Sequence, residues 1–237
     1  MRRRTLLTLP LGMGPIMGNA EDRAAAAARH TLPGLREAMA KAGLQPGQPV
    51  HLRIHKEPKE LELWVRPPGA HGFRLFRTYP IATWGAGRLG PKTRQGDGQA
   101  PEGFYFTDRR SLNPHSKYHL SFNINYPNEY DRAHGRTGNL IMVHGAEVSI
   151  GCYAMTDAGI EEIYTLAAAA LAAGQPTIAI HCFPFRMTAE RLAAAAGNPD
   201  EAPCLAFWNE LAPGWRFFEQ HHLPPGVAVR DGRYVIG

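Results

Sequence analysis

From Val50 onward the apolar residues fall in short runs separated by glycine and proline, and this spacing limits the fold more than any other feature. His51-Leu52-Arg53-Ile54-His55 alternates, Leu61–Val65 does so in part, and Phe73–Arg77 follows the turn-rich stretch Pro67–Gly72. Such runs are too short for helices of a bundle and have the period of half-buried strands joined by turns. Gly103–Thr107, Tyr118–Asn125, Leu140–His144 and Thr177–Phe183 have the same character, and 25 glycines and 20 prolines supply the breaks. Three of the intervening loops are long: Trp84–Pro101, Ser111–Ser116 and Pro127–Asn139. Long loops on a compact scaffold commonly carry binding or catalysis. The expectation is an α+β fold, mainly β, over residues 48–186, with helices around it.

Helical spacing appears at the ends. Ile160, Ile163, Tyr164, Ala167 and Leu171 share one face, with Thr156 or Asp157 as cap and Gly174 and Pro176 as stop. Leu32–Ala42 reads as a short helix ended by Gly43, preceded by a low-complexity linker at Ala24–Ala28, so that residues 21–47 form a linker and a short helix. Thr188–Ala196 and Asp200–Leu211 predict a helical C-terminal extension over 187–237.

Residues 1–20 place Arg2, Arg3 and Arg4 before a short apolar stretch and small residues, the order of a secretory signal peptide. Arg3-Arg4-Thr5-Leu6-Leu7 also fits a twin-arginine pattern, so the export route stays open. Pro10, Gly12, Gly14 and Pro15 break the apolar stretch, which makes it a poor membrane span. The formal charge is +5, but the three N-terminal arginines leave only +2 for the rest, too little to argue for nucleic acid.

The chemistry-bearing candidates lie close together. His144 ends an apolar run, and Cys152 follows eight residues later in Ser149-Ile150-Gly151-Cys152. A thiol becomes a strong nucleophile only when ionised, and a neighbouring histidine can take its proton and return it to a leaving amine. The helix expected after Cys152 would favour the thiolate. The N–H groups of Gly151 and Cys152 could form an oxyanion hole, the Gly145 carbonyl could orient the imidazole, and Ser149 could donate near the thiol. The plainer reading is a structural histidine beside a small buried thiol. Arg132, His134 and Arg136 cluster in one loop and suit either a carboxylate clamp or a solvated surface. Lys92, Arg94 and Asp97 lie in a Gly-rich loop that could wall a cleft. His181 and Cys182 fall on opposite faces of one strand, where one faces the core and structural roles are expected. Cys182 and Cys204 could pair, which sequence does not decide. His221-His222 is expected at the surface. No set of converging ligands suggests a metal, and no cofactor is implied.

Larger motifs carry a family resemblance. His144-Gly145 at a strand end, then Ser149-Ile150-Gly151-Cys152, resembles the signature of the L,D-transpeptidase catalytic domain, the YkuD domain. Thr78-Tyr79-Pro80-Ile81, Gly90-Pro91-Lys92, Gly96-Asp97, Ala100–Tyr105, Leu120–Asn123, Tyr130–Gly138, Gly151–Thr156 and Phe183–Thr188 resemble its YafK-like branch. The resemblance runs from about Leu52 to Trp208. It implies a mixed β-sheet domain with peripheral helices and a periplasmic enzyme of peptidoglycan. Cys152 would attack the L-centre carbonyl of meso-diaminopimelate in a stem peptide, with His144 as acid and base. The thioester would pass to an amine, giving a crosslink or a murein-linked lipoprotein. The alternatives are an L,D-hydrolase that releases crosslinks or murein-bound protein, and a non-catalytic peptidoglycan-binding protein. Ile150 stands where the family commonly has a basic residue or histidine, and Ala154 where it has arginine or asparagine. His134-Gly135 is a rival base at a more usual separation from the cysteine. His144 is preferred because an apolar strand leads into it.

Overall fold

Residues 21–237 are described by a computed structural model; the export segment expected over 1–20 lies outside them. The chain runs α1 (Glu21–Lys41), β1 (Val50–His55), β2 (Glu60–Val65), β3 (Arg74–Pro80), β4 (Gly103–Thr107), β5 (Leu112–Asn113), β6 (Ser121–Asn123), α2 (Glu129–Ala133), β7 (Met142–His144), β8 (Tyr153–Ala154), α3 (Asp157–Ala172), β9 (Ile178–Phe183), α4 (Ala189–Ala196), α5 (Leu205–His221), β10 (Val227–Arg230) and β11 (Arg233–Ile236). One sheet has the order β3-β2-β1-β9-β4, with β1 and β9 parallel; a second has the order β5-β6-β7-β8, with β7 and β8 parallel. The α+β class with mixed sheets is as expected.

Strand β1 alternates, but it is buried on both faces rather than one. Leu52 and Ile54 join Leu61, Leu63, Ile180 and Cys182 in the main core, which α1, α3 and the second sheet complete. On the other face His51, Arg53 and His55 lie under α5. Phe218 packs 4.4 Å from the Arg53 guanidinium, and Trp215 Nε1 donates to His55 Nε2 at 3.3 Å. Arg53 is held by Glu219 at 2.6 Å and Glu62 at 3.4 Å. A buried charge survives only when paired in this way. His181 shares this covered face, so it and Cys182 are both buried, and no outward side remains on β9. Burial lowers the His181 pKa to about 3.

Four segments depart from expectation. Ala24–Ala28 is helix, not linker, and is continuous with the rest of α1 through Pro33. An alanine run is the strongest helix former available, and here it has something to pack on. Ala27, Leu35 and Met39 enter the core, and Thr31 Oγ1 lies 3.2 Å from Thr165 Oγ1 of α3. Helix α5 starts later than Asp200 and continues past Leu211 to His221, because Trp215 and Phe218 cover the back of the first sheet. The C-terminal extension is not wholly helical: β10 and β11 form a hairpin turned at Asp231-Gly232, both at positive φ. The expected loop Pro127–Asn139 holds α2, started by a capping box between Asn128 and Asp131.

Thr156 caps α3, and its side chain accepts the Gly159 N–H. Ile160, Ile163, Tyr164, Ala167 and Leu171 are all buried, as their spacing required. Cys152, Cys182 and Cys204 are free thiols, so the Cys182–Cys204 bridge does not form. His221 and His222 are exposed, as expected. Among the described residues no helix is long and apolar enough to cross a membrane.

Candidate functional site

The site forms where β7 meets β8. Their parallel register sets Val143 opposite Tyr153 and His144 opposite Ala154, so Cys152 lies just before β8 beside Met142. The Met142 N–H points to Cys152 Sγ at 3.4 Å, and Sγ lies 3.8 Å from the Leu140 carbonyl. On its other side β8 is strapped by Thr83: Ala82 N–H donates to the Ala154 carbonyl and Ala154 N–H to the Thr83 carbonyl, both at 2.9 Å. Ala154 is thereby fully buried and unable to touch a substrate, whereas Ile150 is 92% exposed.

His144 is buried with its ring 4.8 Å from that of Tyr118. Its Nδ1 lies 2.5 Å from the Gly145 carbonyl, the contact expected to orient the ring. A carbonyl only accepts, so Nδ1 carries the proton and Nε2 offers a lone pair. Gly145 has no room for a side chain: a Cβ would stand 2.6 Å from Asp157 Oδ1 and 2.8 Å from the Tyr118 carbonyl. Burial lowers the His144 pKa, with the Gly145 carbonyl opposing. Burial raises the Cys152 pKa, with the Met142 N–H and the Lys92 ammonium drawing it back. Both shifts act toward the neutral thiol and the neutral imidazole. For the thiol, desolvation thus outweighs the favourable contributions of the Met142 N–H and Lys92.

Ser149 and the two N–H groups of Gly151 and Cys152 also differ from expectation. Ser149 Oγ accepts from Cys152 N–H at 2.7 Å and from Gly151 N–H at 3.1 Å, and donates to the Cys152 carbonyl at 2.8 Å. The hydroxyl therefore serves the backbone and not the thiol, and the N–H pair assigned to an oxyanion already has an occupant.

The Gly-rich stretch Trp84–Pro101 does wall the site. It folds on itself through Ala86 N–H to the Gly98 carbonyl at 2.7 Å, and the Gln99 carbonyl stands 3.1 Å from where a Gly151 Cβ would sit. Lys92 Nζ donates to Asp97 Oδ1 at 2.7 Å and to the Arg94 carbonyl at 3.0 Å. Burial alone would raise the Asp97 pKa, but Lys92 and the N–H groups of Arg94, Thr93 and Gln99 bring it to about 2. At its base Lys56 and Glu102 form a fully buried ion pair at 2.9 Å. A cleft of about 530 Å³ beside Leu140 and Met142 is lined by Arg110, Asn113 and Asn123, and another of about 630 Å³ by Arg88, Arg94 and Gln99. Leu140 and Val148, at 62% and 64% exposure, join Ile150 as exposed apolar residues of the Leu140–Cys152 segment.

Arg132, His134 and Arg136 do not converge. Arg132 donates to the Pro127 carbonyl and lines a separate cavity with Phe104 and His181. His134 stacks on Tyr130 at 4.1 Å, with Nδ1 at 2.9 Å from the Tyr130 carbonyl. Arg136 pairs with buried Asp131 at 2.8 Å and lies over Phe207. Each is bonded within or beside its own short helix, so the clamp and the rival base are not assembled. Sequence reasoning did not give Lys92 and the Met142 N–H their place at the thiol. Gly90-Pro91-Lys92 was a visible signal for the first. The second is a matter of strand register and leaves no mark in residue type.

A strand-end histidine steered by the next carbonyl thus lies on the strand parallel to the one that Cys152 precedes. The family model of the L,D-transpeptidase catalytic domain, YkuD, matches residues 49–178, and the chain belongs to that family. It is 44% identical over 190 residues to YafK of Escherichia coli (strain K12), a candidate L,D-transpeptidase by name, covering 80% of this chain and 74% of that protein. Among solved structures, the helical cell shape determining protein Pgp2 of Campylobacter jejuni aligns with TM-score 0.46 at 17% identity, over 82% of this chain and 80% of that one. Bdellovibrio bacteriovorus Bd1075 aligns with TM-score 0.40 at 18% identity, over 72% and 58%.

Proposed function

We propose that the chain is a murein L,D-transpeptidase-like cysteine enzyme, exported to the periplasm, that acts on peptidoglycan stem peptides at the L-centre of meso-diaminopimelate. The observation that supports this reading is the parallel register of β7 and β8, which sets His144 opposite Ala154, two residues after Cys152, with the Gly145 carbonyl at His144 Nδ1. Sγ attacks the carbonyl carbon as its proton passes to Nε2. The tetrahedral intermediate collapses, the C–N bond breaks, and D-alanine leaves with the proton from His144. An amine then attacks the thioester, and the thiol is restored. Because burial shifts both groups toward their neutral forms, proton transfer would accompany attack rather than precede it. The cleft beside Leu140 and Met142, with Arg110, Asp108 and three asparagines, would receive the stem peptide.

A second reading, hydrolysis of a crosslink or of a murein-linked lipoprotein, is favoured by the apolar residues Leu140, Val148 and Ile150. They offer an acceptor apolar contact, with Glu147 beside Val148 as the one exposed charged side chain of the segment. Incubating the mature protein with a disaccharide tetrapeptide and with intact sacculi, and following the products by mass, tests both. Loss of D-alanine with a new dimer or an exchanged terminal residue supports transfer. Water added across an existing linkage supports hydrolysis. Identical silence from wild type and Cys152→Ala on both substrates overturns both and leaves a non-catalytic binding protein.

A further inference from the structure

Acyl transfer needs a place for the developing oxyanion, usually two convergent N–H groups about 2.7–3.1 Å from it. The N–H groups of Cys152 and Gly151 converge at 2.7 and 3.1 Å on one oxygen, Ser149 Oγ. That oxygen is neutral, and its own proton is turned away, to the Cys152 carbonyl. The convergence has supports other than the hydroxyl. Gly151 is held at φ +142, with the Gln99 backbone against it on the side a Cβ would occupy. The strand that follows is fixed by Ala154 N–H to the Thr83 carbonyl at 2.9 Å and Met155 N–H to the His144 carbonyl at 2.8 Å. The residues on either side of Ser149, by contrast, are little packed: Val148 and Ile150 are 64% and 92% exposed. The frame of the two donors is rigid, and the segment bearing their occupant is free at the surface.

We infer that the Ser149 hydroxyl is a built-in occupant of the oxyanion site and that acylation of Cys152 begins with its displacement by the carbonyl oxygen of the substrate. The inference rests on the reading of Cys152 as the acyl-accepting nucleophile. Ser149 turns out about its Cα–Cβ bond, and the incoming carbonyl oxygen takes the two N–H groups. The Sγ–C bond forms, the carbonyl π pair moves onto that oxygen, and the thiol proton goes to His144 Nε2. On collapse the C=O bond re-forms, the leaving group departs with its bonding pair, and the hydroxyl returns once the thioester is resolved. Ser149 thus keeps the donor pair occupied and out of water between turnovers, and every substrate must exchange with it.

The test compares two reactions of Cys152 in the full chain. Alkylation by iodoacetamide has no oxyanion; acylation by p-nitrophenyl acetate passes through one. Ser149→Ala leaves the donor pair unoccupied, so the ratio of acylation to alkylation rates rises by about two- to tenfold, the equivalent of one neutral hydrogen bond no longer exchanged. Ser149→Thr, which keeps an Oγ, brings the ratio back toward that of wild type. Ser149→Gly carries the same expectation as Ser149→Ala and serves if that variant does not fold. A ratio that falls in both shows that the hydroxyl builds the site rather than fills it. An unchanged ratio shows that these N–H groups do not face the oxyanion. Either result overturns the inference while leaving Cys152 as nucleophile. If Cys152→Ala is acylated and alkylated as fast as wild type, the reading of Cys152 itself fails.

Discussion

Replacing Glu102 by glutamine should destabilise the protein more than any substitution on its surface, because three bonds converge on this carboxylate where no water reaches it. Oε1 accepts from Lys56 Nζ and from Gly90 N–H, both at 2.9 Å, and Oε2 accepts from Trp208 Nε1 at 2.8 Å. Both members of the ion pair are fully buried. The cluster joins the segment just after β1, the loop that walls the site, the entry to β4 and helix α5. In Glu102→Gln the Lys56 ammonium keeps the Gly90 carbonyl at 2.8 Å and the Trp84 ring at 5.0 Å, but loses its counter-ion. Breaking a buried pair from one side costs about 3–5 kcal/mol. Glutamine retains one acceptor oxygen, so we expect about 3 kcal/mol. Lys56→Met leaves the carboxylate with two N–H donors and should cost a similar amount. The double variant Lys56→Met/Glu102→Leu removes both charges and should fall short of the sum by at least about 2 kcal/mol. Urea unfolding followed by far-ultraviolet circular dichroism, at constant slope, reads all three. Single-variant losses below about 1 kcal/mol, or additive losses in the double variant, would refute the argument that an uncompensated charge is what costs.

Three further outcomes follow from the site. His144→Ala removes the base, so acylation of Cys152 by p-nitrophenyl acetate should drop by about 10²–10⁴-fold; a loss under tenfold means that another group takes the proton. Lys92→Met removes a cation that draws the thiol pKa down against burial. The midpoint of the alkylation–pH profile should therefore move up, and an unmoved midpoint excludes Lys92 from the thiol's field. Asp97 is depressed from an ordinary 3.8 to about 2, so its contribution to stability is present above the ordinary value and is lost as pH falls through the folded one. Acid unfolding between about pH 4 and 2 should thus be shallower in Asp97→Asn than in wild type; equal slopes would mean that Lys92 and the loop N–H groups do not stabilise that carboxylate.

Which parts could be read from sequence follows from how far apart the deciding residues lie. His144 and Cys152 stand out in the sequence because an apolar run leads into one and the other follows within a short motif, just before the strand parallel to it. The same holds for α3, whose cap and apolar face are contained in its own residues. The Asp231-Gly232 turn is equally local, since Asp-Gly between alternating runs is a strong hairpin signal. Strand β1 is different. Its His-Leu-Arg-Ile-His alternation correctly predicts two unlike faces, but nothing near it says that α5, about 160 residues later, will cover the polar one. The alanine run of α1 is another case, since alanine favours helix anywhere, but only a surface to pack on separates a helix from a linker.

The thiol's reactivity belongs with the non-local features. Its position is set by the local motif, yet burial pushes its pKa up and a lysine about 60 residues earlier in the chain draws it back. Ser149 shows why even a complete local motif can mislead. A hydroxyl, two N–H groups and a carbonyl within four residues can pair among themselves or with a ligand, and residue type is the same in both states. What tells them apart is the positive φ of Gly151 and the Gln99 backbone behind it. Both are consequences of how the wall loop folds back on the site. The motif thus names the groups that can do chemistry, and the distant wall decides which of them are free to begin it.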